Sequence, residues 1–200
     1  MDYQQTLNSI RENAKLGDII FLGGNDLISN LIKHAQRKQT QDGQPSLWSH
    51  VCLYVNRNLI VESTLGFEKY RTGSRFDNGV QFYMLEERIK EAKTVALVQY
   101  PLTDIQREKI FEVATELFAQ NIKYPVLGLF GSLLTYWLFP KWKNNPLDNE
   151  NRKLYCSAFV AVCYRSMINF NDKYSPDNIS PQLIWNASIN TKDCKTKFFN

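Results

Sequence analysis

A chain of 200 residues that is 44% hydrophobic and 22% charged has the composition of a globular protein and length for one domain with a real core. Its net charge of +4 is scattered along the chain, which gives no support to a nucleic-acid partner. Four cysteines without a CxxC pair exclude a disulfide-stapled scaffold.

In chain order, residues 3–14 alternate polar and apolar positions at near-helical spacing. Lys15 to Asp18 form a turn, Asp18 to Leu22 a short apolar strand, and Gly23-Gly24 stop it. Asp26 to Gln36 reads as a helix with Leu27, Ile28, Leu31 and Ile32 on one face. After a polar loop from Gln39 to Leu47, Ser49–Val55 and Leu59–Ser63 form a hairpin around Asn56-Arg57-Asn58. Gly79–Met84 and Thr94–Tyr100 are further strands, separated by the charged stretch Glu86 to Lys93. Thr103 caps a helix over Asp104 to Gln120.

Tyr124 to Phe139 is apolar but contains Pro125, two glycines and Ser132, and Pro140 closes it. It falls short of the ~20 residues that span a bilayer, so no transmembrane span is expected. It reads as an insertion or groove-bordering segment at about 124–140. A charged loop, Lys141 to Arg152, leads to an apolar helix over Cys156 to Met167. Ser175-Pro176-Asp177 and Ser180-Pro181-Gln182 mark two turns, the second opening a short helix. The pattern is α+β, an antiparallel sheet flanked by helices in a single domain over residues 1–200. Met1 to Lys15 carries no apolar signal core, so a cytoplasmic protein with reduced thiols is expected.

Two residues carry the chemistry. Cys156 opens its helix, where backbone N–H groups and the helix dipole favour a thiolate. His50, one of only two histidines, lies on the strand Ser49–Val55 and can take and return that thiol's proton. Around the hairpin turn, His50 and Glu62 fall opposite each other or on one diagonal of the same face. Glu62 can then hold one imidazole nitrogen while the other faces Cys156. Taken singly, a cysteine in an apolar helix is an ordinary core residue and a histidine at a strand start an ordinary edge residue; their combination points to catalysis. His34, beside Lys33, Arg37 and Lys38, suits a helix C-terminus. Its spacing to His50 and the cysteines matches no structural zinc pattern.

The segments Gly17-Asp18-Ile19-Ile20-Phe21, Ser49-His50-Val51-Cys52-Leu53-Tyr54 and Tyr155-Cys156-Ser157-Ala158-Phe159-Val160 resemble the NlpC/P60 superfamily of papain-like cysteine hydrolases. In the standard order of that family the cysteine helix comes first. Here it comes last, which resembles the circularly permuted branch that includes the YiiX/YebB-like proteins and, more distantly, lecithin:retinol acyltransferase-like enzymes. The resemblance spans roughly residues 16–185 and rests on three short motifs. It implies a permuted papain-like fold, with an antiparallel sheet or small barrel flanked by helices. It implies Cys156 as nucleophile, His50 as general base and Glu62 as third member, with Tyr155 and Ser157 near the substrate and oxyanion. Cys52 departs from the pattern, standing where the family has glycine or another small residue. Asp18 shapes the turn into the first strand.

The expected reaction is cleavage of a peptide or amino-acid amide, including cell-wall-type peptides, through a thioester. It requires no metal or organic cofactor. Two alternatives use the same residues differently: an acyltransferase or lipid hydrolase with an acyl chain held by 124–139, and a binding protein that kept the fold without the activity. A third is an interaction domain with a chance motif match.

Overall fold

Side chains alternate between the two faces of a strand, and in the centre of this sheet both faces are apolar. The computed structural model describes residues 2–64, 79–123, 154–170 and 179–199. The apolar segment Tyr124–Phe139, the loop Lys141–Arg152 and the turn at Ser175-Pro176-Asp177 lie outside the described residues. The strands are β1 (Ile19–Gly23), β2 (His50–Asn56), β3 (Leu59–Thr64), β4 (Gly79–Met84), β5 (Thr94–Gln99) and β6 (Lys195–Phe199). They form one sheet in the order β4-β3-β2-β1-β5-β6. Every neighbouring pair is antiparallel.

The helices are α1 (Tyr3–Asn13), α2 (Leu27–Ala35), α3 (Leu85–Glu91), α4 (Asp104–Ala119), α5 (Cys156–Tyr164) and α6 (Pro181–Asn190). On one face of the sheet, Phe21, Val51 and Val61 pack with Ile110 of α4, Phe159 of α5 and Ile184 of α6. On the other, Ile20, Leu22 and Ile60 pack with Leu7 and Ile10 of α1 and Leu85 and Ile89 of α3. The fold is therefore α+β, a six-stranded antiparallel sheet with helices on both faces. Helix starts follow their caps. Thr103 and Gln106 form a capping box at α4. The Ser180 side chain accepts from Leu183 N at α6, with Pro181 in the first turn.

Two expectations change, and β6 lies where the sequence pattern marks no element. The charged stretch Glu86 to Lys93 contains most of α3. Seven residues with only Leu85 and Ile89 buried, four positions apart, give too short a stripe to show as a period. β6 has one buried residue, Phe199, so it lacks the alternation of a half-buried strand. Helix α2 has the expected span, but its apolar face is not buried: Leu27 is 76%, Ile28 37% and Leu31 47% exposed. Only the next apolar position, Ile32, packs inward, against Tyr155 and Ala158.

The Gly17-Asp18 turn anchors β1. Gly17 takes φ +81, in the left-handed region that glycine occupies without steric cost. Its N–H donates to Tyr54 O at 2.8 Å, and its carbonyl accepts from the Tyr164 hydroxyl at 2.5 Å. Asp18 is fully buried. Its Oδ1 accepts from Arg107 Nη1 at 2.5 Å, and its Oδ2 from Lys15 N at 2.8 Å and Gln99 Nε2 at 2.7 Å. One carboxylate thus ties β1 to β5 and α4. Asp18→Ala would leave the Arg107 guanidinium buried without its counter-charge, at an expected cost of about 3–5 kcal/mol in urea denaturation. A loss under about 1 kcal/mol, the worth of a surface pair, would contradict this role.

Candidate active site

Cys156 is the first residue of α5, and Tyr155 is its N-cap. The Tyr155 side chain does not cap the helix, so the first-turn N–H groups keep their capacity to bind a negative charge. Cys156, Ser157 and Tyr155 are all buried. Helix α5 packs across β2 and β3. The chain just before it is pinned to β3, where Ser63 Oγ donates to Leu154 O at 2.5 Å.

His50 is the first residue of β2 and pairs with Leu22 of β1. The approach to it is fixed on the backbone. Ser49 N donates to Leu22 O at 3.0 Å, Gly24 N donates to Ser49 Oγ at 3.0 Å, and Gln36 Nε2 donates to Trp48 O at 2.8 Å. Leu53 pairs with Val61 and Tyr54 with Ile60. Continuing that register one step sets Cys52 opposite Glu62 and puts His50 on the diagonal from it. The diagonal contact forms: His50 Nε2 meets Glu62 Oε2 at 2.7 Å.

Glu62 has no solvent-exposed side-chain surface, and His50 keeps 20%. Burial raises the pKa of Glu62, but Arg88 first and His50 second outweigh it and hold the carboxyl at about 2. An ionised Glu62 can only accept, so Nε2 carries the proton. Cys156 acts on the same imidazole by charge and by a hydrogen bond. Burial lowers the pKa of His50; Cys156 and Glu62 overcome it and raise the imidazole to about 9. Burial pushes the thiols of Cys52 and Cys163 strongly up, and that of Cys194 to about 11.

The sequence-derived candidates Cys156, His50 and Glu62 are thus neighbours, and Tyr155 and Ser157 flank the thiol. Tyr155 packs with Ala158, Ile32 and Leu154. Cys52 is buried within the sheet, its Sγ 3.8 Å from Ile20 O. His34 lies on the exposed part of α2.

Sequence reasoning missed Arg88. It stands on α3, 11% exposed, with Nε 3.0 Å from both Glu62 oxygens and Nη2 2.5 Å from Oε1. No spacing rule links a short amphipathic turn to a carboxylate 26 residues upstream. The one local signal was its place between Glu87 and Glu91 in a stretch of mixed charge.

Among the described residues, no group of three or more His, Cys, Asp or Glu side chains is arranged to hold a metal ion. Glu62 does not fit that role, since Arg88 and His50 already occupy both of its oxygens. No helix among the described residues is long and apolar enough to cross a membrane.

No family model matches the chain, and no curated protein does. Among solved structures it is similar to one described as the metalloprotein YiiX from Escherichia coli O157:H7, DUF1105. The TM-score is 0.56 at 15% identity, over 92% of this chain and 96% of that one. At that identity the likeness is one of fold, and it extends along nearly the whole of both chains.

Proposed function

We propose that this chain is a cysteine hydrolase of the permuted papain-like, NlpC/P60 type that cleaves a peptide or amino-acid amide. The observation that carries the reading is His50, held by Glu62 through Nε2 and engaged with the Cys156 sulfur. A nucleophile, a base and an orienting acceptor in that sequence of contacts form the arrangement that activates a thiol.

In the proposed cycle, the Cys156 thiolate attacks the amide carbon, forming a C–S bond, and the carbonyl oxygen becomes an oxyanion. The backbone N–H of Cys156, at the uncapped start of α5, donates to it. Protonated His50 gives its proton to the leaving nitrogen as the C–N bond breaks, leaving a thioester. Neutral His50 then takes a proton from water, whose oxygen attacks the thioester carbon; the C–S bond breaks, the acid leaves, and Cys156 returns as thiolate beside protonated His50. Glu62 keeps the ring in one tautomer throughout.

A second reading is favoured by α2. Leu27, Ile28 and Leu31 are exposed, and Ile32 on the same helix packs on Tyr155, beside the nucleophile. An apolar stripe that starts at the thiol's neighbour suits a substrate with an acyl chain, as in a lipid hydrolase or acyltransferase.

Cys156 is expected to react with iodoacetamide at pH 7 about tenfold or more faster than Cys52, Cys163 or Cys194, judged by peptide mapping. A different fastest site would remove Cys156 as nucleophile. A panel of p-nitrophenyl esters separates the two substrate classes. Acetate turning over at least as fast as decanoate, with Leu31→Ser without effect, is the amide-hydrolase outcome; a preference for decanoate abolished by Leu31→Ser is the acyl-chain outcome.

The site also sets a pH dependence of stability. The folded pKa of His50, about 9, lies above its ordinary 6.5. Its contribution is therefore complete below pH 6.5 and is lost as pH rises through 9. Glu62 is depressed from 4.5 to about 2, so its contribution is present above pH 4.5 and is lost on the way down to 2. Urea denaturation of wild type and His50→Gln should show a stability gap that narrows between pH 6.5 and 9. A gap that widens there would contradict the assignment.

A further inference from the structure

We propose that Arg88 is a positioning residue: its guanidinium fixes the Glu62 carboxylate in the plane and orientation that aim the His50 ring at Cys156. The inference rests on the proposed function and assigns a role to a residue outside the nucleophile–base–acceptor set.

The contact geometry carries it. Glu62 Oε1 accepts from Arg88 Nη2 at 2.5 Å and from Nε at 3.0 Å. Oε2 accepts from Nε at 3.0 Å and from His50 Nε2 at 2.7 Å. A planar guanidinium gripping both oxygens removes the carboxylate's freedom to rotate, which a point charge would not do. Arg88 is held from its other side. Its guanidinium lies 4.5 Å from the centroid of the Tyr83 ring, and Nη1 donates to Glu91 at 3.0 Å. The chain of contacts thus runs from a ring on β4 and an acid on α3 through Arg88 and Glu62 to His50.

The groups around Glu62 come from four elements. Arg88 faces it from α3, His50 and Cys52 from β2, and uncharged Gln81 is its partner on β4. Cys156 on α5 lies beyond His50. Among these groups only Arg88 keeps its positive charge at every working pH. Without it, a carboxylate shut off from water would have, among the described residues, His50 as its counter-charge. It would bind a proton more readily and could turn within its site.

Three proteins test this: wild type, Arg88→Gln and Arg88→Lys. Two readouts are used: the rate of Cys156 alkylation by iodoacetamide at pH 7, and the acid-side inflection of the His50 imidazole NMR signals, which reports Glu62. In Arg88→Gln the inflection is expected to rise by about 1–3 pH units. Alkylation is expected to slow about tenfold, the size of other outer-shell effects. Arg88→Lys should keep the low inflection, because the charge remains, yet still slow alkylation, because the two-pronged grip is gone. If Cys156 is the fast thiol in wild type and neither variant slows it, the Arg88 role is overturned and the proposed function stands. If Cys156 is not the fast thiol in wild type, the proposed function itself fails. Circular dichroism checks folding, and should Arg88→Gln not fold, Arg88→Lys decides alone: slowed alkylation supports the role and a wild-type rate overturns it.

Discussion

A carboxylate without contact with water stays ionised only where neighbouring charges and donors replace that water, and Glu62 meets this condition from two elements at once. His50 arrives from β2 and Arg88 from α3. The requirement reaches well beyond the three side chains. The β2–β3 register must put His50 on the diagonal from Glu62. Helix α3 must seat Leu85 and Ile89 in the core so that Arg88 falls over β3. A slip of one residue in β3 would turn Glu62 to the opposite face and leave both cations without their acceptor. Sheet register and site geometry are therefore one constraint.

Much of this was legible from residue patterns. The hairpin followed from two short apolar runs around Asn56-Arg57-Asn58, and the shared face of positions 50 and 62 from the two-residue side-chain period of any strand. The position of Cys156 at a helix start followed from the apolar run after it, and the structural part played by Asp18 from its place in a glycine turn. The illegible parts have physical reasons too. Arg88 acts through a contact that depends on how α3 lies on the sheet, which local spacing does not encode. α3 is held by two apolar side chains, and β6 by one. Helix α2 misled in the opposite sense: its spacing is that of a core-facing stripe, yet most of that stripe meets solvent.

The likeness to YiiX at 15% identity fits this division. A sheet buried on both faces asks for apolar residues of suitable volume, and many sequences satisfy that demand. Arg88 and Glu62 answer to a narrower demand, for opposite charge and matched geometry at single positions. A shared outline and a shared site are separate questions, which is why the chemistry here is argued from this chain's own contacts.

The chain order of the elements bears on how the protein is made. Among the described residues, five of the six strands lie within the first 99 residues, together with His50, Glu62 and Arg88. The helix that bears the thiol comes much later. At a synthesis rate of about 5–20 residues per second, Cys156 joins the nascent chain on the order of several seconds after Arg88. The neighbouring strands β1 to β4 pair in sequence order, so their contacts are short in chain separation and quick to form. The polypeptide can therefore bring this carboxylate and its two cations together before it carries Cys156, so that the thiol emerges toward a sheet whose first four strands have already met.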